Sequence, residues 1–336
     1  MTIIKALQLQ REYYTPEAAE PTPTFTLSDM GNAERFMKQH AQKIRFCTTW
    51  NSWYLWNGKY WELDEKNRVH QMAKLTVRNM YAEAAQKDDD KERRTLVKHA
   101  LKSEGNREIK NLLEQATWHT DVAITAHELD SHSWLLNLEN GTLDLKTNEL
   151  RPHREQDLLT HYVDITYDPK AVAPMWLRFL DKVMNGNQSL IGFLQRAVGY
   201  SLTSETCEQC LFFLHGQGQN GKTTFIETAL EKLLGKYARR ISTEALLLKR
   251  HPSNANNEIA RLKGARIAIT SEISQGRRLN ESLVKDLSGE DTISARFLYS
   301  EPFDFKPTSK LWVYGNHKPI ITGIDEGIWR RIKLIP

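Results

Sequence analysis

Apolar positions recur in two rhythms along the chain. Residues 69–113 carry them at helical spacing, interrupted at Asp88-Asp89-Asp90 and again between Ser103 and Gly105. Later runs are continuous: Leu211-Phe212-Phe213-Leu214, then Ile267-Ala268-Ile269, then Leu311-Trp312-Val313-Tyr314. Short unbroken runs are what a parallel strand buried on both faces requires. Residues 1–30 have no such rhythm, hold Pro16, Pro21 and Pro23, and read as poorly ordered. Order is expected from Leu27-Ser28-Asp29 onward, with Asn32 capping a helix through Arg35, Phe36 and His40.

Between these regions the pattern is β-like. Residues 50–63 place two aromatic strands around Asn57-Gly58, a hairpin signal. Their aromatic cluster reads as the core of a small sheet before it reads as a base-stacking platform. Residues 135–150 return to short strands, with turns at Asn140-Gly141 and Thr147-Asn148. Pro169 and Pro174 precede a helical stretch from Trp176 to about Leu202. The expected organisation is a smaller α+β domain at 31–170, a boundary near 165–175, and an α/β domain with a parallel sheet at 171–336.

Composition narrows the class. The 336 residues are 40% hydrophobic and 26% charged, a balance typical of globular proteins. No apolar stretch approaches the roughly 20 residues that span a bilayer, and the N-terminus lacks a signal-peptide core. Three cysteines do not make a disulfide scaffold, so a cytoplasmic protein is expected. From Ser201 on there are 20 Lys and Arg against 15 Asp and Glu, so the positive excess sits in the C-terminal part. Such an excess suits a phosphate-rich partner and equally an unpatterned solvated surface. Asp88-Asp89-Asp90 among Lys and Arg reads as a solvated loop. Cys207 and Cys210 have no second pair and read as structural.

The strongest chemical signal follows the first continuous run. Gly216-Gln217-Gly218-Gln219-Asn220-Gly221-Lys222-Thr223 fits G-x-x-x-x-G-K-[ST] in full, with Thr224 next. A loop that wraps phosphate must turn its N–H groups inward, which glycines permit. Lys222 would face the β- and γ-phosphates of ATP, and Thr223 would give a hydroxyl to Mg²⁺. Ile226, Ala229, Leu230, Leu233 and Leu234 then repeat at helical spacing up to Gly235. The second run ends at Glu272, placed to polarise water or hold Mg²⁺. The third ends at Asn316, a neutral group able to orient water. His317 reads as structural or as a weak DNA contact. Arg330-Arg331 would suit phosphate charge across a subunit boundary, and equally an ion pair or a DNA contact.

Four segments, GQGQNGKTT, RIAITSEIS, GEDTISARFLYSEPFDFKPTSKLWVYGNHKP and DEGIWRRIKLIP, together resemble the superfamily 3 helicases. More narrowly they resemble the phage and plasmid primase–helicases, relatives of the poxvirus primase–helicase. WNSWYLWNGKYWELDE and NLENGTLDLKTNELRPH resemble the domain that precedes the helicase there. The resemblance implies a AAA+-like P-loop ATPase core, a homo-hexameric ring and ATP-driven movement on single-stranded or forked DNA. Lys222 and Thr223 match the phosphate-loop pair, Glu272 the acidic position and Asn316 the polar sensor. Arg331 matches the arginine finger, with Arg330 as the fallback. A DNA-binding hairpin is implied at 292–305, with Arg296 and Tyr299 near its tip and Lys285 on the preceding helix. No primase-like segment is recognised, so a separate primase or initiator is an expected partner. Relatives usually continue beyond the position of Pro336, so hydrolysis is expected and full unwinding is not implied. The competing reading is an initiator or assembly ATPase that binds DNA without processive unwinding.

Overall fold

The computed structural model describes residues 25–248, 255–271, 275–297 and 301–336. The chain forms two compact units. One takes the chain up to Phe46 and Asp64–Ala123; the other takes Cys47–Leu63 and Ile124–Pro336. The expected poorly ordered segment lies mostly outside the described residues.

The first unit is helical. Helix α1 (Asp29–His40) is capped by Ser28, whose hydroxyl accepts the Gly31 N–H at 3.2 Å. Asn32, expected at that cap, sits a turn inside and is buried. Its amide donates to Ser103 Oγ at 2.9 Å, and its oxygen meets His99 Nε2 at 2.9 Å. Buried interhelical bonding therefore uses the side chain that capping would have used. Helices α2 (Arg68–Ala85), α3 (Asp90–Ser103) and α4 (Asn106–Thr117) follow. The aspartate run starts α3: Asp89 accepts the Glu92 N–H at 3.0 Å, and Asp90 pairs with Arg94 at 2.8 Å. Arg35, nearly inaccessible, is neutralised by Glu83 at 3.0 Å.

The second unit opens with the hairpin of β1 (Ser52–Trp56) and β2 (Trp61–Leu63), paired antiparallel with Trp56 opposite Trp61. Asn57 Oδ1 accepts the N–H groups of Lys59 and Tyr60, both at 3.0 Å, and Gly58 takes φ 94°. Trp61 is fully buried and donates its indole N–H to the Glu155 carbonyl at 2.8 Å. It packs with Cys47, Tyr54, Ile124 and Leu129, so the aromatic cluster is a core. Strands β3 (Leu135–Leu138), β4 (Gly141–Asp144) and β5 (Glu149–Arg151) form an antiparallel meander. The helical stretch expected from Trp176 to about Leu202 is divided into two helices, α5 (Pro174–Val183) and α6 (Gln188–Ser201). Asn185 and Gly186 both adopt positive φ, and Asn187 caps α6 by accepting the Leu190 N–H at 3.1 Å. An Asn-Gly-Asn break supplies left-handed backbone and then a cap, which ends one helix and starts another.

Helix α7 (Lys222–Phe225) follows β6 (Leu211–His215) and continues as a π-helix over Ile226–Lys232. Next come β7 (Ala238–Arg240), β8 (Ile267–Ser271) and α8 (Glu281–Ser288). An antiparallel ribbon of β9 (Ile293–Ala295) and β10 (Phe303–Phe305) leads to β11 (Lys310–Gly315). Helix α9 (Glu326–Trp329) and β12 (Ile332–Ile335) complete the chain. Five of these strands form one parallel sheet in the order β12-β6-β11-β8-β7. Phe212, Leu214, Trp312, Tyr314, Ile267 and Ile269 face one core cluster; Leu211, Phe213, Leu311, Val313 and Ala268 face the other. Burial on both faces is what the unbroken apolar runs demanded.

Residues 135–165 belong to this core, which is why compactness does not divide the chain near residue 170. Leu136, Leu138, Leu143 and Val163 share a cluster with Leu180, Phe212 and Tyr237. Two buried cations help fix the arrangement. Arg266, just before β8, donates to the carbonyls of Leu202 and Leu135 and lies over the Tyr237 ring at 4.5 Å. Lys310 donates to the carbonyls of Thr203, Glu205 (3.3 Å) and Thr308 (3.1 Å). Leu202 and Thr203 end α6, where carbonyls and the helix dipole favour positive charge.

Burial, and then neighbouring Arg266, push the Lys310 ammonium down to about 7. The unfolded side chain titrates near about 10.4. Between these values the unfolded chain holds a proton the folded chain has released, so stability rises with pH there and is flat below. The wild type should therefore gain stability relative to Lys310→Met as pH climbs from about 7 towards about 10. Urea unfolding of both proteins across that range checks this; a pH-independent difference contradicts it.

Candidate active site

The sheet's register assembles the site. Gly315, the last residue of β11, pairs with His215, the last of β6; Tyr314 pairs with Ser271, the last of β8. The residues that follow these strands therefore emerge along one edge, at the strand C-termini, where open α/β sheets bind ligands. Gly216 and Asn316 occupy two of those positions. Glu272 would follow the third strand but lies outside the described residues, as does Tyr299.

The glycine loop runs from Gly216 to the start of α7. Gly221, at φ 84°, is the position that demands glycine: a Cβ would stand 2.8 Å from Val183 Cγ1 and 3.1 Å from the Phe179 ring. Gln217, Gly218 and Gln219 are exposed at the loop's crest, with Gln219 itself at φ 65°. Lys222 folds back across the loop. Its ammonium donates to the carbonyls of Gly216 (2.7 Å) and Gln217 (3.3 Å), to Asn220 Oδ1 (2.8 Å) and to Asn316 Oδ1 (3.2 Å). Lys222 and Asn316 are 94 residues apart in sequence and meet here. Thr223 and Thr224 are exposed on the first helical turn.

Several nearby groups carried no signal in the sequence. His215, just before the loop, has its pKa lowered by desolvation and then by Lys318, with Lys222 contributing. Lys318 and Lys222 place positive charge near the loop mouth, the sign that suits phosphate. Arg240, at the end of β7, pairs with Glu231 and donates to the Tyr314 hydroxyl at 3.0 Å. That contact links the helix after the loop to the middle of the sheet, and only the strand order brings its members together. Leu233, expected on the buried helical face, is 39% exposed, because the π-helical winding shifts the 3.6-residue rhythm.

The arginine pair divides unevenly. Arg331, the stronger candidate by sequence, is buried: its Nε donates to Ser288 Oγ at 3.2 Å and its Nη1 to the Gly327 carbonyl at 2.5 Å. Arg330 is the exposed member, donating from Nη2 to Gln209 Oε1 at 2.7 Å. Both lie in the turn between α9 and the last strand, where Arg330 has helical backbone as the C-cap of α9. Both precede β12, whose Ile332 pairs with Leu211 at the start of β6. They stand at the strand N-termini, a full strand away from the loop.

The expected DNA contacts are placed as follows. Arg296 is exposed and directly follows β9. Lys285, on α8, is ion-paired with Asp325 at 2.9 Å, and Asp325 also caps α9 by accepting the Ile328 N–H at 3.2 Å. Cys207 is exposed and Cys210 buried, the latter's thiol pushed up to about 11 mainly by desolvation. Among the described residues no group of His, Cys, Asp and Glu has metal-holding geometry, and no helix is long and apolar enough to cross a membrane.

Two family descriptions match the chain: "D5 N terminal like" over residues 33–185, and a "Family of unknown function (DUF5906)" over residues 214–331. The chain is 27% identical over 308 residues to "Putative helicase L207/L206" of Acanthamoeba polyphaga mimivirus, covering 84% of this chain and 32% of that protein. It is 35% identical over 150 residues to "Putative helicase 022R" of Frog virus 3, covering 43% and 15% respectively. "Putative primase C962R" of African swine fever virus is 25% identical over 233 residues, covering 67% and 24%. The chain thus spans a third or less of these relatives. Among solved structures, "The A form apo structure of NrS-1 C terminal region-CTR" shares the fold, with a TM-score of 0.52 at 10% identity over 92% of this chain and 61% of that one. Residues 33–185 thus match the D5-type N-terminal family, and the chain is similar to viral proteins named as helicases and a primase.

Proposed function

We propose that residues 171–336 form a AAA+-like P-loop ATPase of the superfamily 3 helicase kind, which uses ATP to move along or unwind DNA during replication of a phage, prophage or plasmid. The observation that carries this reading is the meeting of Lys222 and Asn316, 3.2 Å apart, at the C-terminal edge of a parallel sheet. The motif residues then take definite roles. Backbone N–H groups of residues 216–223 hold the phosphates, with Thr224 beside them, and Lys222 neutralises their charge. Asn316 and Glu272 orient and polarise the attacking water. Thr223 and Glu272 would hold Mg²⁺, which supplies charge neutralisation at the phosphates.

The opposite placement of the arginines supports a shared site. Five residues of β6 separate their end of the sheet from the loop, a distance of about 17 Å at strand rise. An arginine there serves the phosphate of a neighbouring copy, which is the logic of a homo-hexameric ring. Its exposure makes Arg330 the finger, with Arg331 as its buried anchor. Arg296 and Tyr299 on the β9–β10 ribbon would contact single-stranded or forked DNA, with Lys285 available only if it leaves Asp325. A separate primase or initiator is the partner this reading implies.

ATP hydrolysis measured with and without single-stranded DNA, alongside native mass, tests the reading. Turnover should be stimulated by DNA in an oligomer, and Lys222→Ala should lower it by roughly 100-fold or more. DNA-independent turnover by a stable monomer sinks the ring-motor reading; DNA binding in an oligomer without unwinding favours an initiator.

The two arginines should separate cleanly. Arg330→Ala should lose roughly 10³-fold in hydrolysis with nucleotide binding and thermal midpoint intact. Arg331→Ala should instead destabilise the fold by about 1–3 kcal/mol, since it removes a buried side chain together with its hydrogen bonds to Ser288 and Gly327. Paired hydrolysis and melting measurements on both variants decide between the residues.

A further inference from the structure

Arg330 is exposed but not loose. Its backbone is fixed from three sides: the Arg331 side chain is anchored on Ser288 and Gly327, the Arg331 carbonyl accepts the Leu211 N–H at 2.7 Å, and the Arg330 carbonyl accepts from Lys333 Nζ at 3.0 Å. Its guanidinium is held by one neighbour, Gln209, through Nη2 at 2.7 Å. Gln209 is itself constrained. It takes φ 46° and closes a turn in which its N–H donates to the Thr206 carbonyl at 2.9 Å. A side chain with a Cβ in left-handed backbone is strained, and the surrounding fold must impose it.

The turn also sits where such a residue is useful. Gln209 lies two positions before β6, the strand that leads into the glycine loop, and β6 is hydrogen-bonded to β12, which follows Arg330. An acceptor oxygen at that length fixes the direction of a guanidinium, which stays protonated whether the acceptor is an amide or a carboxylate. Arg330 is otherwise exposed, and the planar fork of a guanidinium suits a bidentate contact with phosphate.

We propose that Gln209 is a positioning residue for Arg330: its amide oxygen holds the guanidinium extended so that it engages the nucleotide bound by a neighbouring copy. This rests on the shared-site reading above. Gln209 touches no nucleotide itself. Its contribution is to the orientation of a group that acts only in the transition state, so its loss falls on kcat and not on KM.

The test uses the full chain. Gln209→Met, which keeps length and removes the acceptor, should lower kcat for ATP hydrolysis by roughly tenfold to a hundredfold, the kinetic size of one hydrogen bond to a charged group. KM and the binding of a fluorescent ATP analogue should not change. Gln209→Glu, which keeps an acceptor at that length, should retain most of the rate. Equal losses in both variants, or a wild-type rate in Gln209→Met, overturn the proposal. Subunit mixing then locates the effect. Lys222→Ala chains, inactive but with an intact arginine, should rescue Arg330→Ala chains, and Lys222→Ala/Gln209→Met chains should rescue them roughly tenfold to a hundredfold less well. Rescue undiminished by the loss of Gln209 overturns the positioning role alone. No rescue by Lys222→Ala overturns the shared-site reading and the role of Gln209 with it.

Discussion

A parallel sheet buried on both faces leaves polar groups two places to go, its two ends. Phe212 and Leu214 face one core and Leu211 and Phe213 the other, so no charged side chain fits along the middle of β6. At the C-terminal ends the chain places its glycine loop, Lys222 and Asn316. At the N-terminal ends it places Arg266, Lys310 and the arginine pair. The distribution of chemistry in this protein follows from that constraint.

The two ends differ in how charge is managed. At the loop end, Lys222 is shared among four oxygens near the surface, where a phosphate can take their place. At the other end Arg266 and Lys310 are almost fully buried and matched to backbone carbonyls. Such carbonyls at a helix C-terminus lack intrahelical partners, so each cation satisfies groups that would otherwise be stranded. The same bonds draw Leu135, and with it the antiparallel meander, onto the parallel-sheet core. A segment that looks like an upstream domain thereby becomes part of the sheet's support.

Burial also sorts side chains of identical type. Arg330 and Arg331 are adjacent and alike, yet one is turned into the packing against α8 and the other outward to Gln209. The inward residue carries the stability and fixes the backbone. The outward one is left exposed, with its guanidinium held by Gln209.

Much of this was legible in the sequence because the responsible physics is local. Unbroken apolar runs specified buried strands, Asn57-Gly58 a hairpin, and G-x-x-x-x-G-K-T a loop with the backbone freedom to wrap phosphate. The polar residues that stop each run marked where the strands end, while the pairing of β6 with β11 is a tertiary fact. What the sequence alone could not decide were choices made between segments distant in the chain. Asn32 became a buried link because Ser103 and His99 face it, so Ser28 took the cap. The meander joined the core because Arg266 reaches Leu135, and Arg330 became the outward arginine because Ser288 claims its neighbour. Each depends on which partner arrives across a packed interface, and no local pattern records that.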